Sequence, residues 1–317
     1  MNKDNKVKRK KKKKGLTTGK KVLIIIATIL IFSISALATY FLSVVGKINK
    51  VEFNDTDLGI DKNTTTSSQI KNILLLGVDQ EEGDVGRSDA IIIATIDSLH
   101  KKLKLTSISR DSYVNIDGHG YDKINHAYAF GQEELSIKTI NQTFGLDITD
   151  FAKVNFDNLK DIIDVIGGID ITVEEDELAD LNGVISSAGR QHVNGTQALT
   201  YCRIRYNSGG DDRRTERQRM VLTEMFNKIS TTGTLQLPSM VNEILPHVET
   251  SLSTSEVIGL GTKVLTSGMT NIEQLRFPLS SYSKGDKING IYYTTFDEAV
   301  TKEQIRKYIY EDIKPEE

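Results

Sequence analysis

Between Val22 and Val45 the chain runs for 24 residues, VLIIIATILIFSISALATYFLSVV, without one charged side chain. At a helical rise of ~1.5 Å per residue such a run is about 36 Å long, enough for a hydrocarbon core of roughly 30 Å. Eleven of the first 21 residues are basic (Lys3, Lys6, Lys8, Arg9, the run Lys10 to Lys14, Lys20 and Lys21), against one acid, Asp4. On the far side Lys47 is the only nearby charge. Basic flanks stay on the cytoplasmic face, so residues 1–21 are predicted as a cytoplasmic tail, 22–45 as a transmembrane helix and the rest as extracellular. Ala36-Leu37-Ala38 imitates a signal-peptidase site. Apolar residues nevertheless continue through Tyr40, Phe41, Leu42, Val44 and Val45, which suits an uncleaved single-pass anchor. The lysine run orients that anchor and rests on anionic lipid.

The 317 residues hold 40 basic and 43 acidic side chains, a net of −3 that hides this asymmetry. After Lys21 there remain 29 basic and 42 acidic residues, a net of −13. A domain of that sign is not built to bind nucleic acid. One cysteine, Cys202, excludes an intramolecular disulfide framework and a Cys-cluster zinc site. The five histidines (His100, His119, His126, His192, His247) have no zinc-like spacing, and no Gly-x-Ser-x-Gly elbow is present.

Residues 46–70 read as a polar extracellular spacer ending in the cluster Asn63 to Ser68, with order beginning near Lys71. Asn72–Val78 and Ala90–Ile96 are short apolar runs, hence buried strands, and Leu103–Ile108 alternates as a third. Helical spacing marks 133–144 and 159–166, the latter stopped by Gly167-Gly168; Ile169–Val173 is a further strand. Helices are also predicted near 212–230, 255–266 and 297–313. Strands mixed with helices, and no internal repeat, predict an α/β layered domain over 71–317.

Charged groups gather where the core does not need them. Asp79 closes the first strand, Arg87 and Asp89 open the second on one face of an extended segment, and Arg110 and Asp111 close the third. Carboxyl ends of strands are where open α/β sheets bind ligands. In Tyr201–Tyr206, read as extended, Arg203 and Arg205 share a face and Cys202 lies on the other as a small buried residue. The next helix carries an apolar stripe of Leu222, Met225 and Ile229 that turns polar at Gln218 and Arg214, as a helix bordering a buried polar pocket would. Its first turn also suits an anion. Arginines and carboxylates converging from separate segments fit a phosphate ester held with a divalent ion.

The residues NILLLGVD (72–79), RSDAIIIATID (87–97), LTSISRDSYVNI (105–116), KINHAYAFG (123–131), VIGGIDITV (165–173) and ALTYCRIRY through DDRRTERQRM (198–220) resemble, in this order, the LytR–CpsA–Psr family of bacterial envelope proteins. Ser109 stands where the family usually has Pro, and Asp212 where an apolar or aromatic residue is more frequent. The resemblance implies a central mixed β-sheet packed between helices. It also implies a phosphotransferase that moves an undecaprenyl-pyrophosphate-linked glycopolymer (teichoic acid, capsule or similar) onto a peptidoglycan hydroxyl, in a Gram-positive-type envelope. Under it Asp79 and Asp89 correspond to the metal ligands for Mg²⁺, with Mn²⁺ as the alternative ion. Arg87, Arg110, Lys123, Arg203, Arg205, Arg214 and Gln218 correspond to the pyrophosphate-contacting set, with Asp89 and Arg110 in the chemistry. Asp89 or Asp111 is expected to take the acceptor's proton, and an apolar groove between sheet and helices to hold the polyprenyl chain. Two rival readings keep the same ligand: a lipid-pyrophosphate hydrolase, and a membrane-anchored regulator without catalysis.

Overall fold

Runs of Ile and Leu bounded by glycine and charge form the middle of a sheet. The structure, a computed structural model, describes residues 49–51, 57–62, 64, 67–79, 85–204, 210–231, 237–269 and 271–316. The expected tail and transmembrane helix lie outside the described residues, among which no helix is long and apolar enough to cross a membrane.

In chain order the first half comprises β1 (Asn49–Lys50), β2 (Ile70–Asp79), β3 (Arg87–Asp97), β4 (Lys102–Ile108), β5 (Tyr113–Ile116), β6 (Gly120–Lys123), α1 (His126–Phe144) and β7 (Asp150–Asn155). Next come α2 (Phe156–Val165), β8 (Ile169–Val173), β9 (Gly189–Val193), α3 (Gly195–Arg203) and α4 (Gly210–Thr231). The chain closes with α5 (Leu237–Ile244), β10 (Glu249–Thr250), α6 (Thr254–Thr266), β11 (Ile272–Phe277), β12 (Ser283–Ile288), β13 (Ile291–Phe296) and α7 (Glu298–Tyr310).

The seven-stranded sheet has the order β1-β10-β7-β2-β3-β4-β11. It is mixed: β2 pairs antiparallel with β3 and parallel with β7, and β4 pairs antiparallel with β3 and parallel with β11. Alternation along the strands sends Leu74, Leu76, Val78, Ile91 and Ile93 into one core with Ile137, Ile140 and Phe144 of α1 and Ile305, Tyr308 and Ile309 of α7. Ile73, Leu75, Ala94 and Ile96 face the other way, toward α4, α5 and α6. A second core joins α2, α3, β8 and α4 through Ile163, Ile171, Tyr201, Cys202 and Val221.

The expected strands and helices are present, most within two or three residues of their predicted ends. The first long helix begins earlier than its spacing suggests, at His126, because it is broken at Gly131 and Gln132, where the backbone leaves helical values. It ends at Gly145, whose φ of +65° makes the left-handed cap that glycine adopts without strain. The stretch read as a spacer is partly structured. Leu58 is buried in the core, its carbonyl accepts from Asn141 Nδ2 at 2.8 Å, and β1 pairs with β10.

Candidate active site

The pairing of β2 with β3 shifts register between Gly77 and Val78. Gly77 opposes Ala90 and Val78 opposes Ser88, so Asp89 is the extra residue of a β-bulge. A bulge bends its strand and re-aims a side chain, here at the end of the sheet where β2 also presents Asp79. Gly77 allows the close approach, since a Cβ there would meet Ala90 Cβ at 2.9 Å.

Asp79, Arg87 and Asp89 line one cavity of about 660 Å³ together with Arg110, Asp111 and Lys123. Arg110 Nη1 donates to Asp89 Oδ1 at 2.7 Å, while its Nε lies 3.8 Å from Asp111 Oδ2. Lys123, at the end of β6, donates to Asp111 Oδ1 at 2.6 Å. The ends of β3, β4 and β6 are thus tied by alternating charges.

Asp79 and Asp89 also border a second cavity of about 260 Å³, closed by Phe156, Cys202, Arg203, Arg214 and Gln218. Arg214 is buried and its Nη2 donates to the Asp89 carbonyl at 3.3 Å. Arg203 Nη2 lies 4.0 Å from Asp79 Oδ1, and its guanidinium stacks over the Phe156 ring at 4.1 Å. The buried Gln218 Oε1 has no hydrogen-bond partner among the described residues. Arg203, Arg214 and Gln218 therefore come together with both carboxylates, and Arg205 lies outside the described residues.

Arg203 reaches the site differently from the extended reading. Tyr201, Cys202 and Arg203 form the last turn of α3, which an Asn194/Gln197 capping box starts. The buried Cys202 thiol is pushed up to about 12 by desolvation, against the pull of Arg217 and Arg203, so it is no nucleophile at neutral pH.

The polar-to-apolar stripe of α4 is present: Leu222, Met225 and Ile229 pack in one hydrophobic cluster, and Phe226 joins Leu222 and Ile229 on the side of the sheet. Leu222, Phe226 and Ile229 face Leu75, Ala94 and Leu105 of the sheet across an almost wholly apolar cavity of about 420 Å³. Met225 belongs to the second core. One helix thus gives its first turns to the charged cavity and its later turns to an apolar one.

Three features escaped the sequence reading. Arg217 and Arg219 are buried: Arg217 Nε pairs with buried Glu177 at 2.7 Å, and Arg219 Nη1 donates to Ser107 Oγ at 2.8 Å. Asn125 and His126 line the larger cavity, and the Asp122–His126 spacing of four was the overlooked signal. Arg276, on β11, meets both family departures. Its Nη2 lies 2.8 Å from Asp212 Oδ1 and 3.4 Å from Ser109 Oγ.

Asp79 and Asp89, the two carboxylates common to both cavities, suit Mg²⁺, which accepts one or two protein carboxylates and completes its shell with phosphate oxygens and water. A site with more protein ligands is not formed: among the described residues no group of three or more His, Cys, Asp or Glu side chains could hold an ion.

The sequence matches the LytR_cpsA_psr family over residues 40–308. The polyisoprenyl-teichoic acid–peptidoglycan teichoic acid transferase TagU of Oceanobacillus iheyensis is 36% identical over 240 residues, covering 73% of this chain and 73% of that one. In fold, TagT bound to LIIa-WTA superposes with a TM-score of 0.70 at 24% identity, over 83% of this chain and 98% of that one. The LytR-CPS2A-psr family protein YwtF (TagT) with bound octaprenyl pyrophosphate lipid superposes with a TM-score of 0.62 at 25% identity, over 84% and 96%. With a match across most of its length, the chain belongs to the LytR_cpsA_psr family.

Proposed function

We propose that this chain is a phosphotransferase that moves an anionic glycopolymer from an undecaprenyl-pyrophosphate carrier onto a peptidoglycan hydroxyl, forming a phosphodiester and releasing undecaprenyl phosphate. The observation that carries the reading is the meeting of Arg87, Arg110, Arg203 and Arg214 with Asp79 and Asp89 around two adjoining cavities. An apolar cavity beside them lies along the same helix. Support comes from the relative named for teichoic acid transfer and from the related structure that holds octaprenyl pyrophosphate.

The diphosphate occupies the paired cavities. Arg87, Arg110, Arg203 and Arg214 cover its oxygens through their guanidinium groups, and Lys123 and Gln218 complete the set. Asp79 and Asp89 would hold Mg²⁺, or Mn²⁺ in its place, and such an ion would supply positive charge to offset that of the diphosphate. The leaving group is already a phosphate ester, so the chain's own contribution is to orient the acceptor and to hold donors aimed at developing charge. No nucleotide is needed, because the pyrophosphate link stores the driving force.

The prenyl chain lies between the sheet and α4, where Leu222, Phe226 and Ile229 meet Leu75 and Leu105. Each buried CH₂ there contributes about 0.8 kcal/mol. Residues 1–21 remain inside the cell, 22–45 cross the membrane as the single anchor, and the catalytic domain works outside, within reach of its lipid.

The test is product analysis. The full-length chain in detergent, given a synthetic polyprenyl-pyrophosphate glycan, peptidoglycan fragments and Mg²⁺, is expected to yield peptidoglycan-bound polymer and prenyl monophosphate. Free phosphorylated polymer formed at the same rate without acceptor identifies a hydrolase. No turnover despite tight ligand binding identifies a regulator.

A further inference from the structure

An acceptor hydroxyl must lose its proton as it attacks phosphorus, and the carboxylates of the larger cavity are already engaged. Asp89 Oδ1 accepts from Arg110 at 2.7 Å, and Asp111 lies 2.6 Å from Lys123 Nζ and 3.8 Å from Arg110 Nε. A proton accepted at either would cost an ion pair. Asp79 is half exposed, with Arg203 at 4.0 Å, and under the proposed function it is a metal ligand.

His126 is in a different position. It opens α1 on the wall of the same cavity as Asp79, Asp89 and Arg110. Its Nδ1 lies 2.8 Å from Asp122 Oδ2, and its ring meets Phe130 edge-on at 6.0 Å. Nε2 is the nitrogen left for the cavity. Asp122 is in turn fixed by Tyr293 Oη at 3.2 Å and by the Lys123 backbone N–H at 2.8 Å. Burial alone would raise the Asp122 carboxyl, but the hydrogen bonds of His126, Lys123 N–H and Tyr293 hold it below the usual carboxylate range. It therefore stays an anion at neutral pH and keeps Nδ1 protonated, which leaves Nε2 as the acceptor nitrogen. Beside it Asn125 is 4% exposed and lines the same cavity, and its Oδ1 has no partner among the described residues. A buried amide oxygen without a donor is costly unless a ligand supplies one.

We propose that His126 is the general base of the transfer, with Asp122 as its positioning residue and Asn125 Oδ1 as the acceptor for a neighbouring, non-reacting hydroxyl of the incoming sugar. The assignment rests on the phosphotransferase reading above. The acceptor oxygen forms a bond to the polymer-side phosphorus while the bond from that phosphorus to the bridging oxygen breaks. The electron pair leaves with undecaprenyl phosphate, and the hydroxyl proton passes to Nε2. The resulting imidazolium is balanced by Asp122 and releases its proton to water. The charged groups facing His126 are Asp122 and Lys123 on β6, Arg110 and Asp111 after β4, Arg87 and Asp89 on β3, and Asp79 on β2. The first turn of α1 holds no acid.

The test measures transfer to peptidoglycan fragments against pH in the full-length chain. The expected wild-type profile loses rate on the acid side as the base becomes protonated. His126→Gln is expected to lose roughly 10²–10⁴-fold in kcat, to lose the acid limb and to keep its affinity for octaprenyl pyrophosphate. In His126→Ala, added imidazole is expected to restore part of the rate. In Asp122→Asn kcat is expected to fall while KM and the affinity for octaprenyl pyrophosphate are kept, because the imidazole loses the partner that orients Nδ1. A His126→Gln chain that binds lipid and either transfers at the wild-type rate or keeps the acid limb overturns the assignment and leaves the phosphotransferase reading intact. A wild-type chain that releases prenyl phosphate without peptidoglycan product overturns both.

Discussion

Arg110 and Asp89 join two strand ends through one short hydrogen bond, Nη1 to Oδ1 at 2.7 Å, and Asp89 is the bulged residue that lines both charged cavities. The bond positions a carboxylate for an ion and a guanidinium for a phosphate at once. Arg110→Ala and Asp89→Ala are each expected to reduce transfer by about a hundredfold or more, near 3 kcal/mol of barrier. Thermal unfolding should move little, because both side chains are partly exposed. A variant with near-normal turnover in a steady-state assay contradicts the role.

A different outcome is expected one turn along α4. Arg217 and Glu177 form a buried pair at 2.7 Å. Removing one partner strands a buried charge, so Arg217→Met should cost roughly 3–5 kcal/mol in denaturant unfolding. Arg217→Met with Glu177→Leu should recover much of that loss.

The apolar cavity makes a chain-length prediction. Leu222→Trp and Phe226→Trp narrow the space between α4 and the sheet. Transfer from a long prenyl carrier is expected to weaken, mainly in KM, while transfer from a short-chain analogue is spared. Equal effects on both carriers would place the chain elsewhere.

Acid stability follows from Asp150. Burial pushes its carboxyl up, but Lys71, Ser251 and Thr149 together hold it below the usual range. A lowered carboxyl stabilises the fold fully above its unfolded value, near 3.9, and this is lost as pH falls through the folded value. Lys71→Met removes the principal partner and is expected to unfold at a higher pH than wild type on acid titration followed by circular dichroism.

Much of the site was legible because its residues lie at ends of strands whose apolar runs are unmistakable, as with Asp79 after NILLLGV and Arg87 and Asp89 before AIIIATI. The α4 stripe put Arg214 and Gln218 on the side of the helix that lines the smaller cavity, because helical spacing reports a face directly. The Arg203 segment misled, since an alternating Arg-Ile-Arg resembles a strand when the Asn194–Gln197 box upstream goes unread. His126 has no zinc-like spacing, and the Asp122 carboxylate four residues earlier meets it only once β6 turns into α1. Arg276 and β11 could not be found locally. Strand β11 joins β4 across more than 160 residues, and no short pattern announces such a parallel pairing.

The central claim is that one ligand spans the charged and apolar cavities, and a crystal structure of the protein with octaprenyl pyrophosphate and Mg²⁺ tests it most directly. The expected result is a diphosphate among Arg110, Arg203 and Arg214, with the ion on Asp79 and Asp89 and the prenyl chain along Leu222 and Phe226. A diphosphate bound away from those arginines, or a chain outside the α4 cavity, contradicts it.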